Sequence, residues 1–349
     1  NHPFGWKVLG SVLRQVGRLP EALVCNKKAI KLNQTDSNAY NNLGNTLNDL
    51  GRLNEAEESY RQAINLNPKY AEAYNNLGNT LKNLQRPNEA VKQYRQAIII
   101  QPDFAESRYS LGLLFFETAK YEEAIIYFKG SDFKKSQLYL LKCFFHQNKK
   151  SQFYDHLEYL INQGQVNPII GSLVCRSKLR YGIEKPNPFC KDPLKYIFEK
   201  DLNNEYDFKN IFFKVAKNIL TDENIESKEQ KLLVNGYQTS GNLFDIESEL
   251  TKKIKKIIYS EIENYRNHFK DSKDGLITNW PNDFKLYGWL IRMKSGGKLS
   301  PHMHDNGWIS GSIYINVPPK SNYDSGNLVV CVDDKEYKTE KNNQKKVLM

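Results

Sequence analysis

The chain has 349 residues, 40% of them hydrophobic and 12% aromatic, which excludes a disordered protein and allows two domains with buried cores. Its net charge of +10 comes without an RNA- or DNA-binding motif, so we attribute it to lysine-rich solvated surfaces, and no apolar run is long enough to span a membrane. Five scattered cysteines form no Cys-x-x-Cys pair, which excludes zinc-finger and disulfide frameworks and predicts structural thiols in the reducing cytoplasm.

A sequence repeat with a fixed period of 34 residues occupies the first part of the chain. Its most regular column is a Leu-Gly pair, found at Leu9-Gly10, Leu43-Gly44, Leu77-Gly78 and Leu111-Gly112. A second column is an alanine after a glutamate, found at Ala22, Ala56, Ala90 and Ala124. This period with these small residues resembles tetratricopeptide repeats. The resemblance implies an all-α solenoid over residues 1–132, in which each helix pair buries its apolar face only against its neighbours.

Residues 133–185 differ from the regular repeats. Residues 133–164 keep helical periodicity but lose the glycine and alanine columns, and we interpret them as a degenerate terminal repeat that caps the array. Pro186, Pro188 and Pro193 then mark residues 181–194 as a linker or a domain entrance. We therefore expect a second domain over residues 186–349.

Asparagines cluster on the first helices of two repeats. Those at Asn42, Asn45, Asn76 and Asn79 are candidate ligands for a peptide backbone, because their amides form hydrogen bonds without reading side chains. Similar ladders occur in the repeats of O-linked N-acetylglucosamine transferases, although the C-terminal half lacks the doubly wound α/β pattern of a glycosyl transferase. The alternative is that these asparagines are simply polar surface positions. We expect the array to hold a protein or peptide partner, or to pack on the C-terminal domain.

The C-terminal half predicts one long helix and several strands. Apolar residues recur at helical spacing over residues 243–269, at Leu250, Ile254, Ile257, Ile258, Ile262 and Tyr265. Runs rich in β-branched and aromatic residues predict strands over residues 286–293, 309–317 and 326–332. Glycine-rich segments at residues 295–297 and 306–307 predict hairpin turns between them.

Two histidines one residue apart, His302 and His304, precede the second of these predicted strands, with Asp305 beside them. In an extended chain residues i and i+2 point to the same side, so the two imidazoles can converge on one point. Two imidazoles and a carboxylate with open positions suit non-haem Fe(II). The alternative is a solvated pair of surface histidines.

The block PHMHDNGWISGSIYINVP, followed by SGNLVV, resembles the double-stranded β-helix of 2-oxoglutarate- and Fe(II)-dependent oxygenases, above all bacterial ones fused to tetratricopeptide repeats. The resemblance implies Fe(II) and 2-oxoglutarate as cofactors, with His302 as the first metal ligand. That family usually has His-x-Asp or His-x-Glu, so the second ligand here is either His304, in the carboxylate position, or Asp305. Tyr314 lies an even number of residues from both histidines, so in an extended chain its side chain points to the same side as theirs. It is therefore a candidate for the same cavity or, alternatively, a tyrosine of the barrel core.

The family pattern needs a distal histidine and, after it, an Arg or Lys for 2-oxoglutarate, but no histidine follows His304 and the chain ends soon after the third predicted strand. We expect a fragment open at both ends, with a jelly-roll of α+β class that is incomplete at its C-terminus, weak iron binding and little turnover. One hypothesis is an oxygenase that hydroxylates a protein selected by the repeats. The other is a non-catalytic repeat scaffold with a degenerate, cupin-like domain. In either case we expect a cytoplasmic protein without nucleic-acid or membrane partners.

Overall fold

The 34-residue repeat folds into pairs of α-helices in the computed structural model, which describes residues 2–222, 227–228, 233–299, 307–315, 328–331 and 344–347. The chain divides into two compact units, Asn1–His156 and Leu157–Met349. The repeat helices are α1 (Pro3–Gln15), α2 (Leu19–Leu32), α3 (Ser37–Asp49), α4 (Leu53–Leu66), α5 (Ala71–Asn83), α6 (Pro87–Ile100), α7 (Ala105–Glu117) and α8 (Tyr121–Lys129). A further pair, α9 (Lys134–His146) and α10 (Lys150–Asn162), follows where the sequence predicts helical periodicity.

Glycine in the first helix of each pair allows the second helix to lie close to it. A Cβ atom built on Gly44 or Gly78 would lie 2.6 Å from a ring carbon of Tyr60 or Tyr94, and both rings are buried. No side chain fits at that distance, so the Leu-Gly column is a steric requirement of the pair. In the first pair the buried side chain of Asn26 replaces the ring, and its Nδ2 donates to Thr46 Oγ1 at 2.9 Å.

The first helix of each repeat ends in a left-handed turn. The turn residues lie 34 positions apart and are Gly17 (φ +79°), Gly51 (φ +74°), Gln85 (φ +60°) and Ala119 (φ +57°). Glycine adopts this conformation freely, whereas the Cβ of glutamine or alanine crowds the backbone there. The third and fourth repeats therefore carry local strain that the first two avoid.

Neighbouring repeats stack through their helices. Each second helix packs against the first helix of the next repeat, and the first helices α1, α3, α5 and α7 also contact one another in order. These four helices therefore form one continuous face of the first unit. In the described part of the chain, no helix is both long and apolar enough to cross a membrane.

Helix α11 (Pro168–Tyr181) lies in the second unit. Asn167 caps its N-terminus, where its Oδ1 accepts the Ile170 N–H at 3.1 Å. The proline-rich residues that follow fold back onto α11 through Asn187, whose Nδ2 donates to the Gly171 carbonyl at 3.0 Å. Phe189 and Cys190 are consequently buried, in a cluster with Leu276 and Ile277 of α14 (Gly275–Thr278).

A second apolar cluster forms around α12 (Lys214–Thr221) and α13 (Glu249–His268). The helix predicted over residues 243–269 is confirmed from Glu249 onward, after Ser248 Oγ accepts the Thr251 N–H at 3.0 Å. Residues 243–245 form a separate 3-10 turn. Ile254 and Ile257 are buried in the cluster, and Leu250 and Ile258 pack against it, as the helical spacing predicts.

Two small antiparallel sheets complete the described part of the second unit. One has the strand order β1 (Ser227–Lys228), β2 (Leu233–Thr239) and β3 (Ile291–Leu299), and the other pairs β4 (Leu328–Cys331) with β5 (Gln344–Val347). Strand β4 confirms the strand predicted over residues 326–332. The predicted jelly-roll remains a prediction, because these sheets are only a small antiparallel region.

The strand predicted over residues 286–293 begins later, at Ile291, and runs through the predicted turn at residues 295–297. Val234 pairs with Lys298 and Gly236 with Met293, so residues 294–297 oppose Asn235 alone. Asn235 has φ +51°, and a Cβ on Gly297 would lie 2.9 Å from the Asn235 carbonyl oxygen. Residues 294–297 therefore form an irregular four-residue bulge within β3 that Gly297 accommodates, and the predicted hairpin turn is wrong.

The strand predicted over residues 309–317 is wrong for residues 309–315, which form no strand, while residues 316–317 lie outside the described residues. Trp308, just before this segment, and Ile315 within it pack against apolar clusters instead. Trp308 Nε1 donates to the Leu276 carbonyl at 2.9 Å, and its ring meets Phe189 edge-on at 5.1 Å between centroids. Ile315 packs against the α12–α13 cluster.

Candidate functional site

A groove of about 450 Å³ lies on the face formed by the first helices of the repeats. The 34-residue period brings equivalent positions of successive helices to this face, so residues far apart in sequence line one cavity. We call this cavity the repeat groove, and its lining residues are Arg14, Asn45, Glu72, Asn76, Gln101, Phe104 and Glu106.

Two of the four predicted asparagines are held by buried tyrosines. Tyr60 donates its hydroxyl proton to Asn45 Oδ1 at 2.7 Å, and Tyr94 donates to Asn79 Oδ1 at 2.8 Å. Burial raises the pKa of both tyrosines above the usual value, so they remain donors at neutral pH. Each bond fixes the amide plane, and among the described residues neither Asn45 Nδ2 nor Asn79 Nδ2 has a partner. These two asparagines therefore present oriented N–H donors.

The other two predicted asparagines connect neighbouring repeats. Asn42 Nδ2 donates to Ser11 Oγ at 3.0 Å, and Asn76 Nδ2 donates to Asn41 Oδ1 and to Asn45 Oδ1, both at 3.1 Å. Their amide nitrogens are thus used within the array. Asn42 and Asn76 position the first helices relative to one another, while Asn45 carries the free donor.

Asn41 and Asn75 occupy equivalent positions in successive repeats and were not among the predicted ligands. Asn41 Nδ2 donates to Tyr70 Oη at 3.2 Å and to Glu72 Oε1 at 3.1 Å. Asn75 is 4% exposed, its Oδ1 accepts from Ser107 Oγ at 3.0 Å, and its Nδ2 has no partner among the described residues. The two environments differ although the repeat positions match.

The residues predicted for the iron site are only partly described. His302, His304 and Asp305 lie outside the described residues. Tyr314 is 41% exposed and lies in the segment without a strand, so the shared strand face inferred for it is not formed there. Burial raises the pKa of its hydroxyl. Among the residues that the structure covers, no group of three His, Cys, Asp or Glu side chains could hold a metal ion.

Family models match both parts of the chain. Tetratricopeptide repeat models match residues 25–58, 44–85, 71–104 and 105–131. The helical array is a tetratricopeptide repeat domain. The model described as "Putative 2OG-Fe(II) oxygenase" matches residues 287–349, a segment that contains His302, His304, Asp305 and Tyr314. The chain therefore combines a tetratricopeptide repeat domain with a C-terminal segment of this oxygenase family, as the sequence predicts.

Solved structures similar to the chain include several with tetratricopeptide repeats. PilF of Pseudomonas aeruginosa is 20% identical with a TM-score of 0.47, over 52% of this chain and 84% of that one. YrrB, described as a TPR protein with an unusual peptide-binding site, is 19% identical with a TM-score of 0.38, over 45% and 84%. The first TPR of Spaghetti (RPAP3), bound to the HSP90 peptide SRMEEVD, is 24% identical with a TM-score of 0.33, over 34% and 93%. No curated protein matches the chain.

Within the tetratricopeptide repeat domain, the tyrosines that orient Asn45 and Asn79 carried a sequence signal. Each follows its asparagine by 15 residues, and this offset recurs with the 34-residue period. An amide and a hydroxyl at a repeated offset predict a repeated hydrogen bond. The signal that could have separated Asn75 from Asn41 is the residue 29 positions later, which is Phe104 after Asn75 and Tyr70 after Asn41.

Proposed function

We propose that the tetratricopeptide repeat domain binds an extended segment of a partner protein in the repeat groove. The observation that carries this proposal is the tyrosine-held amide of Asn45, which lines the groove with an unpaired Nδ2. Asn79 is held in the same way at the equivalent position of the next repeat. Extended peptides expose one carbonyl oxygen per residue, and an amide N–H is a suitable donor to it.

The fixed orientation of these amides favours binding. A flexible asparagine loses side-chain entropy when it binds, whereas one already held by Tyr60 or Tyr94 has lost that freedom on folding. Each new hydrogen bond then contributes on the order of 1 kcal/mol. Contacts of this kind recognise the backbone of the partner and do not select among its side chains.

Selection of random displayed peptides on the whole chain tests this function. We expect peptides that bind saturably and lose affinity about thirtyfold when Asn45 and Asn79 are both changed to alanine, since each change removes one hydrogen bond of about 1 kcal/mol. Asn54→Ala is the matched control, because Asn54 is exposed on α4 outside the groove. Failure to select any peptide, or equal affinity of the double variant, would reject the groove as the binding site.

We further propose that the C-terminal domain, residues 186–349, has the double-stranded β-helix fold and is an Fe(II)- and 2-oxoglutarate-dependent hydroxylase. The family match over residues 287–349 supports this proposal. His302 would hold the iron with His304 or Asp305, a donor set whose chemistry suits non-haem Fe(II). Tyr314 would contact the cofactor or the substrate. Bound Fe(II) and 2-oxoglutarate would supply the oxidising chemistry, and the repeats would select the substrate protein.

Anaerobic Fe(II) titration and succinate formation test this second function. We expect weak but saturable binding of one Fe(II) per chain that His302→Ala abolishes, and in the complete protein the same change should abolish iron-dependent succinate formation. His268→Ala is the matched control, since the exposed His268 ends α13. A chain that binds no Fe(II) would support the other hypothesis, a non-catalytic repeat scaffold with a degenerate cupin-like domain.

A further inference from the structure

Three cations of the first helices α1 and α5 are neutralised by acidic partners. Lys7 lies 2.7 Å from Asp36, Arg14 lies 2.6 Å from Asp49, and Lys82 lies 2.8 Å from Glu117, each distance joining a side-chain nitrogen to a carboxylate oxygen. Each of these pairs is neutral overall, so the three basic side chains add no net positive charge to the groove. The charge that remains in the groove therefore depends on its unpaired carboxylates.

Two unpaired carboxylates line the groove, at equivalent positions of α5 and α7. Glu72 accepts only the Asn41 amide N–H, and neither Glu72 nor Glu106 forms an ion pair with any described residue. The groove is consequently acidic in a chain whose net charge is +10. A local field of this sign attracts a cationic group of a partner and repels an anionic one.

Asn75 provides an independent indication of a ligand. In the preceding repeat, the amide of Asn41 is satisfied by Tyr70 and Glu72. The 34-residue period places Phe104 and Glu106 at the corresponding positions beside Asn75. Phenylalanine has no hydroxyl to accept the bond, so the Nδ2 of Asn75, a residue that is only 4% exposed, has no partner among the described residues.

Phe104 adds a surface that suits a long basic side chain. It lies between the two carboxylates in sequence and lines the same cavity. The methylene groups of lysine or arginine pack on an aromatic ring, and the cationic end is attracted to the ring face. A carboxylate pair, an aromatic ring and an unpaired amide N–H together match a basic residue with its own backbone carbonyl.

We propose that the repeat groove is specific for a partner segment with a lysine or arginine, whose side chain lies on Phe104 between Glu72 and Glu106 and whose carbonyl accepts from Asn75 Nδ2. This assignment rests on the proposed peptide binding and adds its specificity. An acidic segment would bring its carboxylates against Glu72 and Glu106, and this like-charge repulsion disfavours it.

Peptide selection on the whole chain and on the double variant Glu72→Gln, Glu106→Gln tests the specificity. We expect the wild-type chain to enrich peptides with a lysine or arginine at one aligned position. The strongest of these peptides, labelled for fluorescence anisotropy, should bind the double variant about tenfold more weakly, from the loss of two partly exposed ionic contacts. Replacing its aligned basic residue by norleucine should reduce binding to the wild-type chain by a similar factor.

Glu58→Gln, Glu123→Gln is the matched control, because it removes the same charge from exposed positions of α4 and α8. It should leave the affinity unchanged, and circular dichroism of both double variants should show the wild-type helix content. Selected peptides without basic enrichment, or an unchanged affinity of the groove variant, would overturn the specificity while leaving peptide binding intact. Failure to select peptides at all would overturn both.

Discussion

The two units of the chain are held together over very different sequence separations. In the repeats, a side chain meets its partner at a fixed short offset, such as 15 residues for Tyr60 and Asn45 or 31 residues for Asn76 and Asn45. In the second unit, the Lys191 N–H donates to an Asp274 carboxylate oxygen across 83 residues. The repeats therefore depend on neighbour contacts that propagate along the chain, whereas the second unit forms only when distant segments meet.

Thiol labelling would test whether the two units unfold separately. Burial raises the pKa of Cys143 in the first unit and of Cys190 in the second to about 12. At pH 8 this lowers the thiolate fraction by about a thousandfold relative to an unfolded thiol of pKa about 8.5. Iodoacetamide labelling at rising urea should therefore expose the two cysteines at different midpoints. A single shared midpoint would show one cooperative transition.

The same shifts predict how stability depends on pH. An acid whose pKa is raised by folding is stabilised in its protonated form, so the folded state loses stability as the pH rises above the unfolded value of about 8.5. We expect the urea midpoint of both cysteines to fall between pH 8.5 and pH 10. Cys143→Ala, with the first unit followed through the remaining buried thiol of Cys25, should make that unit less sensitive over this interval and leave the second unit unchanged.

Gly78→Ala should destabilise the repeats and spare the second unit. The new methyl group would overlap the Tyr94 ring, and overpacking of this kind costs about 1–3 kcal/mol. The measurement is urea unfolding followed by labelling of Cys143 and Cys190. Gly5→Ala is the control, because nothing lies within 4 Å of its Cβ position, and it should stabilise α1 slightly. Equal destabilisation by both changes would refute the steric explanation.

Asp274→Ala should destabilise the second unit and spare the repeats. It removes the acceptor of the Lys191 N–H and of the Tyr196 hydroxyl, each at 3.0 Å, and should cost the second unit about 1–2 kcal/mol. The Cys190 midpoint should fall while the Cys143 midpoint stays the same. The exposed Asp271, which has no such bonds, supplies the control variant Asp271→Ala. A matching fall at Cys143 would mean that the units unfold together.

Gln85→Gly should stabilise the repeats by roughly 1 kcal/mol, the smallest of these effects, because it relieves a left-handed backbone at φ +60°. Gln85→Ala keeps the Cβ atom and should give no such gain. Thermal unfolding monitored by circular dichroism would compare the two. A stabilisation common to both variants would point to the loss of the glutamine side chain as the cause.

The sequence predicted the repeat helices well because each contact there recurs with the 34-residue period, as the Gly78 and Tyr94 pair illustrates. It also predicted the interior of α13 from a single amphipathic pattern. It failed at residues 309–315, where Trp308 and Ile315 anchor to cores built from other segments, and at the bulge opposite Asn235. β-branched composition alone does not distinguish a strand from such an anchored segment.

The candidate groove shows the same limit at the level of single side chains. Asn45 and Asn79 were predicted as ligands from composition, and their proposed role is retained. Asn42 and Asn76 look identical to them in sequence, yet their amide nitrogens bond to neighbouring repeats. The face that each residue occupies, and therefore its partner, depends on the stacking of helices and cannot be read from one repeat alone.

The bond from Asn76 to Asn45 joins α5 to α3, and it has a thermodynamic consequence. A ligand that binds the Asn45 amide selects molecules in which α5 is folded against α3, so binding and local folding are linked equilibria. Backbone hydrogen exchange in α5 should then slow when a ligand contacts α3 alone. Through the bond between Asn76 and Asn45, a ligand would thus slow hydrogen exchange in a helix that it does not touch.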